Sequence, residues 1–427
     1  MRILYINHYA GSPRHGMEYR PYYLAREWVR AGHKVRIVAS SHSHLRAQEP
    51  ELGSRSLLEE TIDGIPYTWL RTGAYRGNGL GRVRNIADFV HRLYQEGRRL
   101  AVEDAPDVVI ASSTYPMDIW PASRIARIAG ARLVFELHDI WPLTPMELGG
   151  MSKWHPFIMA AQAAEHYVYR HADAVVSMLP KVHAHVSVRG LALDRLHIVP
   201  NGVQPQEWRA GTQRLAGPVG RRLAEIAGAG QAIVGYAGNH GISNSLDTLL
   251  GAAARMRNED VAFVLVGGGP EKERLQRLAL AQGLRKVHFI DPVAKDDIPA
   301  LLQWFDVACI AWRRQPLYRF GIAPNKLMDY MMAGRPVLHA VEAGNDPVGE
   351  AGCGLTVAPE DPAASAEGIR RLLAVGEDER RAMGERGRQF VLRHFTYPVL
   401  SERFLAACSH PQARPEPAVP ASRYTSG

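Results

Sequence analysis

Short apolar runs alternate with stretches of helical periodicity along nearly the whole chain. Residues 2–7 (RILYIN) form an apolar run of strand length. Leu24, Ala25, Trp28 and Val29 then recur at helical spacing, Gly32 ends that stretch, and residues 35–39 (VRIVA) form a second run. Strand, helix and strand in that order make a βαβ unit. The pattern continues with a strand or hairpin arm at residues 63–72 and apolar runs at 107–111, 132–137, 174–178 and 196–199. A second series begins at residue 232, with runs at 232–238, 261–269, 286–293, 306–312 and 336–342 and helices predicted to start near Ser245, Pro270, Asp297 and Pro324. Such alternation predicts parallel sheets covered by helices.

The 427 residues therefore divide into two Rossmann-like domains, at 1–203 and 231–388. Residues 204–230, rich in Gly, Pro, Gln and Ala, read as the linker with a small helix. A final helix is expected at 389–410, crossing back to the first domain. Residues 411–427 carry no apolar periodicity and are expected to be disordered.

Composition narrows the partners. A chain that is 46% hydrophobic and 22% charged is globular, and a net charge of +8 favours anionic partners: nucleic acid, acidic lipid head groups or phosphorylated small molecules. The basic residues are not interleaved with aromatics as in a nucleic-acid module, so no nucleic acid is expected. Cys309, Cys353 and Cys408 stand far apart without metal-ligand spacing, which favours a reduced cytosolic setting. The pairs His42/His44 and His183/His185 lack a third ligand nearby in sequence, and no metal site is expected. The opening MRILYINHYAGSP is too short and too polar for a signal peptide, and no apolar run reaches about 18 residues, so a cytoplasmic protein is expected. Between residues 76 and 99, Arg76, Arg82, Arg84, Arg92, Arg98 and Arg99 flank Ile86, Phe89, Val90 and Leu93 at helical spacing. This helix could face the core with a solvated side, or lie on an anionic membrane surface at the inner face of the plasma membrane.

The stretch Tyr318 to Pro336 (YRFGIAPNKLMDYMMAGRP) carries the candidate chemistry. Pro324 suits the first helical position, Ala323 before it stays extended, and Gly334 with Pro336 ends a helix of about ten residues. Unpaired N–H groups at Asn325 and Lys326, with the Lys326 ammonium, would hold a phosphate, and Asp329 one turn on would accept from ribose hydroxyls. The same pattern also makes a buried amphipathic helix that needs no ligand. In open parallel sheets the ligand crevice lies at the carboxyl ends of the strands, which is where His138 and Asp139 follow RLVFEL; a structural histidine is the alternative. The loop GSPRHG, from Gly11 to Gly16, follows the first strand but is not GxGxxG, so a phosphate cradle and a plain βα loop both remain open. Gly238 and Gly267 to Gly269 end strands of the second series.

Taken in order, the glycine loop, the stretch Ala164 to Val203 ending in PNGV, YAGNHGISNSLDTLL, VLVGGGPEKERL and PNKLMDYMMAGRP resemble family 4 (GT4) of the GT-B glycosyltransferases, over residues 1 to about 407. FELHDIWP and PNKLMDYMMAGRP look most like bacterial O-antigen, capsule and exopolysaccharide enzymes, including N-acetyl-L-fucosamine transferases. The resemblance implies two Rossmann-like domains with parallel sheets facing a cleft. It implies retaining, metal-independent transfer, without a cofactor, from a nucleoside diphosphate sugar to a polyprenyl-diphosphate-linked saccharide acceptor. UDP is the default base, and an N-acetylated deoxyhexosamine the candidate sugar. Asp329 takes the place of the second glutamate of E-x7-E and would bind ribose. His138, with Asp139 beside it, takes the catalytic position near the donor sugar. Gly11, Gly16, Asn239, Asn325 and Lys326 would surround the diphosphate, Gly321, Ile322, Ala323 and Pro324 the sugar, and Ile290 and Val293 the base.

Three departures are visible. Gly321 replaces the first glutamate of E-x7-E, and Asn239 and Ser245 replace the Arg and Lys of G-R-x5-K. Lys326, with Arg313, Arg314 or Arg319, could supply the lost charge. Two other readings stay open: a nucleotide-sugar 2-epimerase of the same architecture, and a catalytically silent nucleotide-sugar-binding subunit.

Overall fold

The structure is a computed structural model and describes residues 1–77, 79–209, 215 and 217–409. Residues 411–427, expected to be disordered, lie outside the described residues. The first lobe is built on an eight-stranded sheet of β1 (Arg2–Ile6), β2 (Lys34–Ser40), β3 (Leu57–Ile62), β4 (Ile65–Leu70), β5 (Val108–Ala111), β6 (Arg132–Leu137), β7 (Ala174–Ser177) and β8 (Leu196–Ile198). The order is β3-β4-β2-β1-β5-β6-β7-β8. Every pairing is parallel except the β3–β4 hairpin, which turns on Asp63-Gly64, a dipeptide suited to a two-residue turn. The arm expected at 63–72 is thus the second half of a hairpin whose first half, LLEETI, is polar enough to escape an apolar-run reading.

The second lobe carries β9 (Ala232–Ala237), β10 (Val261–Val266), β11 (Val287–Ile290), β12 (Val307–Ala311), β13 (Val337–Ala340) and β14 (Gly354–Val357), all parallel, in the order β11-β10-β9-β12-β13-β14. β10, β12 and β13 are buried along their whole length, as strands covered on both faces must be, which is why they read as unbroken apolar runs. β14 (GLTV) is a short edge strand and only partly buried, and no apolar run of strand length marked it.

The chain crosses between lobes twice, and the crossings lie side by side. Val203 N donates to Phe395 O at 2.8 Å and Tyr397 N to Val203 O at 3.0 Å. Between them the expected linker holds two helices, Pro205–Arg209 and Gly217–Gly228. The single helix read at the chain end is two, Glu377–His394 and Tyr397–Ser409, because Phe395 and Thr396 leave the helix to make this crossing and Pro398 suits the opening turn of the second. The second of them covers the first lobe. Phe404 meets Trp28 with ring centroids 5.2 Å apart, and Trp28 Nε1 donates to Ser401 O at 3.2 Å.

The arginine-rich segment forms the helix Leu80–Glu103. Its apolar stripe, Ile86, Phe89, Leu93 and Leu100, is buried against the first sheet. Arg99 is held by Glu59, Glu96 and Glu103 at 2.8–3.0 Å. The stripe is therefore spent on the core. Among the described residues no helix is long and apolar enough to cross a membrane.

Candidate functional site

The two sheets aim the carboxyl ends of their strands at a common cleft. A cavity of about 310 Å³ lies there, lined from the first lobe by His138, Asp139, Ile140, Thr144, Leu148, Met178 and Leu179 and from the second by Trp312, Leu317, Tyr318 and Gly321 to Pro324. The two groups read from sequence as the catalytic pair and the sugar-side loop thus face each other. The second-lobe loop is stitched to the first lobe: Lys181 N donates to Phe320 O (2.9 Å), Asn201 Nδ2 to Ala323 O (3.1 Å), and Arg319 makes a two-pronged pair with Glu147 (2.8 and 3.1 Å). That pair spends Arg319 away from any diphosphate. Arg314 lies toward Glu342 and Glu360, and Arg313 lines a separate hollow with Asp247 and Arg274, so among the described residues the three arginines are placed elsewhere.

Gly321 has φ +89°, a conformation that disfavours any side chain. A Cβ there would also stand 2.6 Å from the Pro180 ring of the other lobe and 3.0 Å from Asn345 Oδ1. Asn345 holds the loop by accepting from Ile322 N at 2.7 Å. The missing glutamate is therefore a consequence of how the lobes close.

His138 is held from beneath. Its Nε2 lies 3.0 Å from Ser112 Oγ and 3.2 Å from Glu136 Oε2. Glu136 is fully buried and also accepts from Tyr5 OH (2.6 Å), Ser112 Oγ (2.6 Å) and Arg20 Nε (2.7 Å). Burial alone would raise its pKa; the Arg20 guanidinium, with His138 and Ser112, holds it far below the usual carboxylate range. A carboxylate facing Nε2 keeps a proton on that nitrogen, and Nδ1 has no hydrogen-bond partner among the described residues. Asp139 lines the same cavity, but its Oδ1 accepts from Ile140 N (2.9 Å) and Thr144 Oγ1 (2.7 Å), and burial raises its pKa. Glu136 and Arg20 were not anticipated. A glutamate in an otherwise apolar strand two residues before His138 was the readable signal for the first; nothing local marks Arg20.

The ligand helix runs Asn325–Met332, eight residues, with Gly334 at φ +69° after it. Pro324 is its N-cap, at φ −76° and ψ 132°, instead of its first helical residue. The proline ring fixes φ only, and this extended ψ keeps it outside the helix. Asn325 and Lys326 thus keep the free first-turn N–H positions. Lys326 Nζ donates to Tyr236 OH (2.9 Å) and Asn244 Oδ1 (2.7 Å), and burial lowers its pKa to about 8. Tyr236 OH and Asn244 Nδ2 in turn donate to Asn239 O (2.7 and 2.8 Å), which brings Asn239 and Lys326 into one cluster. Neither Tyr236 nor Asn244 was expected. The Asp329 carboxylate accepts no hydrogen bond among the described residues; burial raises its pKa to about 7, with Lys295 opposing.

Gly238, Asn239, Gly267 to Gly269, Pro292 and Val293 line a second hollow of about 410 Å³ beside this cluster. A Cβ on Gly267, at φ +143°, would lie 1.9 Å from Gly238 O, so the two strand ends approach as closely as they do only because that position is glycine. Val293 faces the hollow. Ile290 is buried at the end of β11, and its carbonyl accepts from Gly267 N at 3.0 Å. The Gly11–Gly16 loop folds on itself, Ser12 N donating to Gly16 O at 3.0 Å, and Gly16 bridges to Arg46; neither glycine lines the cavities described. Among the described residues no group of three or more His, Cys, Asp or Glu side chains could hold a metal ion.

Comparison with known proteins adds a family to this geometry. The family described as Glycosyl transferase 4-like domain matches residues 15–202, and Glycosyl transferases group 1 matches residues 231–375. The chain is 26% identical over 256 residues, 58% of its length, to the putative colanic acid biosynthesis glycosyl transferase WcaI of Escherichia coli, and 28% identical over 301 residues, 65% of its length, to the D-inositol 3-phosphate glycosyltransferase of Salinispora tropica. These matches span 62% and 60% of the two relatives' own lengths. The probable glycosyltransferase WbjE of Pseudomonas aeruginosa is 23% identical, with 78% of this chain and 80% of that protein covered. Among solved structures, sucrose-phosphate synthase from Thermosynechococcus elongatus superposes with a TM-score of 0.69 at 15% identity, covering 95% of this chain and 97% of that one. Anabaena HepE in complex with UDP-glucose gives 0.63 at 16%, covering 95% and 99%. At such identities the superpositions speak for the fold.

Proposed function

The chain belongs to the GT4 family of bacterial polysaccharide glycosyltransferases and has the GT-B fold, and from that premise we propose that it transfers a sugar from a nucleoside diphosphate sugar to a saccharide acceptor in cell-surface polysaccharide synthesis. The observation that carries this reading is the interlobe cavity joining His138 and Asp139 to Gly321–Pro324, directly ahead of the helix that begins at Asn325. UDP is the proposed nucleotide; HepE and other neighbours of this fold are complexes with UDP or UDP-sugars. A polyprenyl-diphosphate-linked saccharide is the proposed acceptor.

In this reading the acceptor hydroxyl oxygen forms a bond to the anomeric carbon on the face from which the diphosphate leaves. The bond from that carbon to the diphosphate oxygen breaks, and the hydroxyl proton passes to the departing phosphate, so configuration is retained. The N–H groups of Asn325 and Lys326 and the Lys326 ammonium take up the charge that develops on the diphosphate, the part a metal ion plays in other enzymes, and the transfer is proposed to need none. Asp329 accepts from the ribose hydroxyls, a role open to it because no described residue bonds its carboxylate. His138 presents Nδ1 to the sugar while Glu136 fixes its tautomer.

The cavity wall favours a sugar with an apolar edge. Ile140, Leu148, Met178, Leu179, Trp312, Leu317 and Ile322 outnumber the polar groups, Asp139 and Thr144 bond each other, and no carboxylate can stand at residue 321. An N-acetylated deoxyhexosamine suits such walls better than a fully hydroxylated hexose, whose hydroxyls would lose water without gaining partners. The transferase names of the relatives favour transfer over epimerisation.

Thermal unfolding of the full chain against UDP, GDP and dTDP and their sugars tests the reading. A ligand that binds only the folded protein raises the midpoint. UDP should do so and GDP should not; no shift with any of the three would remove the nucleotide site.

A further inference from the structure

On the first lobe, the surface around the helix Pro156–His171 combines exposed apolar side chains with cations, and the carboxylates nearest to it in sequence are bonded within the fold. Trp154, just ahead of the helix, is 72% exposed, and Leu148 and Met159 are each 53% exposed. Met159, Ala163, His166 and Arg170 are exposed positions spaced three or four residues apart, so they share one helical side. Lys153 sets its ammonium over the Trp154 ring, 5.1 Å from the centroid. Of the acidic residues between Glu147 and Arg189, Glu165 is fully internal, whereas Glu147, paired with Arg319, and Asp173 stay partly exposed. Glu165 is buried with His185 (3.0 Å) and Arg189 (3.3 Å), and Asp173 accepts from Leu133 N (2.8 Å).

Scattered exposed apolar residues are ordinary. What sets this surface apart is an exposed indole among cations, with the nearest carboxylates already bonded within the fold. Indole rests well at the level of lipid head groups, and ammonium and guanidinium groups gain from anionic phosphates there. The patch also ends at a functional place, because Leu148 lines the interlobe cavity. The neighbouring helix Leu80–Glu103, to which the sequence alone pointed for such contact, has buried its apolar stripe in the core.

We infer that the surface of Trp154, Met159, Lys153 and Arg170 docks the protein on an anionic phospholipid bilayer and holds the mouth of the interlobe cavity at the head-group layer. The purpose of docking rests on the proposed transfer; the docking itself does not.

The test is co-sedimentation of the full chain with phosphatidylcholine vesicles, with and without phosphatidylglycerol. The protein should bind the anionic vesicles only, and added salt should release it. The variant carrying Lys153→Glu and Trp154→Ala changes two exposed residues, should fold normally, and should lower the partition coefficient by about tenfold or more. The variant carrying Arg84→Glu and Arg98→Glu, on the helix Leu80–Glu103, should bind nearly as the parent does. Equal binding by the Trp154 variant and the parent, loss in the Arg84 variant alone, or absence of binding would each overturn the inference. So would sedimentation that depends on protein concentration without vesicles and disappears in the Trp154 variant, which would mark the patch as a contact between copies. Midpoint shifts with UDP, measured in parallel, separate the two proposals: a retained shift without vesicle binding sinks the docking alone, and vesicle binding without a shift sinks the nucleotide reading alone.

Discussion

Arg20 and Glu136 form an ion pair of 2.7 Å in which neither side chain reaches solvent. Arg20 also donates to Val199 O (2.8 Å) and Pro200 O (2.6 Å), so one guanidinium ties the support of His138 to the segment that leads out of the first lobe. Asn201, the next residue, reaches Ala323 O in the second lobe. The support beneath the candidate catalytic histidine and the closure of the cleft therefore share a single buried charge.

Removing that charge should be costly. Arg20→Met leaves Glu136 buried without its cation and should destabilise the fold by about 3–5 kcal/mol in urea unfolding. The sign of the acid dependence follows from the depressed pKa of Glu136. A carboxylate held below its unfolded value contributes stability at neutral pH and loses it as pH falls through and below the ordinary carboxylate range, near pH 4. Stability of the parent should drop steeply on acidification there, and Glu136→Gln should flatten that part of the profile. An unchanged slope would mean the pair holds little.

Lys326→Ala should abolish the UDP midpoint shift and most of the turnover while leaving the fold intact, since Nζ bonds Tyr236 and Asn244 without closing a buried ion pair. The Lys326 pKa is lowered to about 8, so its charge is lost as pH rises through that value. UDP affinity should weaken above about pH 8 in the parent. Titration calorimetry at pH 7 and pH 9 checks this; affinity equal at both would take the ammonium out of the site.

Much of this architecture was legible because parallel strands buried on both faces must be apolar along their length. β9, β10, β12 and β13 announce themselves in that way, and Pro324 to Pro336 punctuates its helix clearly. The strands that escaped lie at the sheet edges. β3 is one arm of an edge hairpin and β14 is an edge strand, so neither needs an apolar face on both sides. The loop at Gly321 is shaped by Pro180, a residue far away in sequence, so an expected glutamate looked like a loss when it was a steric requirement. Arg20 is 116 residues from Glu136, and only the folded sheet brings them together.

Asp329→Asn should move stability and binding in opposite directions. The carboxyl pKa is raised to about 7, so its folded value exceeds the unfolded one. Its contribution is favourable at low pH and is lost as pH rises from about 4 toward 7, where ionising the buried group opposes folding. Asparagine has no such charge, and the ligand-free variant should be more stable than the parent by about 1–2 kcal/mol at pH 8. Nucleoside diphosphate binding should weaken in the same variant, because an amide accepts from a diol less well than a carboxylate. A variant that is less stable at pH 8, or that binds UDP as the parent does, would remove Asp329 from the ribose position.

Gly321→Ala isolates the closure of the lobes from the nucleotide site. A methyl group at φ +89° and ψ 170°, a region almost confined to glycine, costs about 1–3 kcal/mol by itself, and the Pro180 ring 2.6 Å away forces the loop back from the first lobe. The bonds from Lys181 N to Phe320 O and from Asn201 to Ala323 O should lengthen with it, which opens the cavity between His138 and the loop. Lys326, Tyr236 and Asn244 lie wholly within the second lobe and keep their geometry, so UDP should still raise the unfolding midpoint. Turnover should fall by about tenfold to a hundredfold, since a displacement of about 1 Å between reacting groups is enough for that. Gly321→Glu should behave no better, despite supplying the carboxylate that the E-x7-E pattern has there, because its Cβ meets the same ring. Full activity in either variant would show that the two lobes do not close through this loop during transfer.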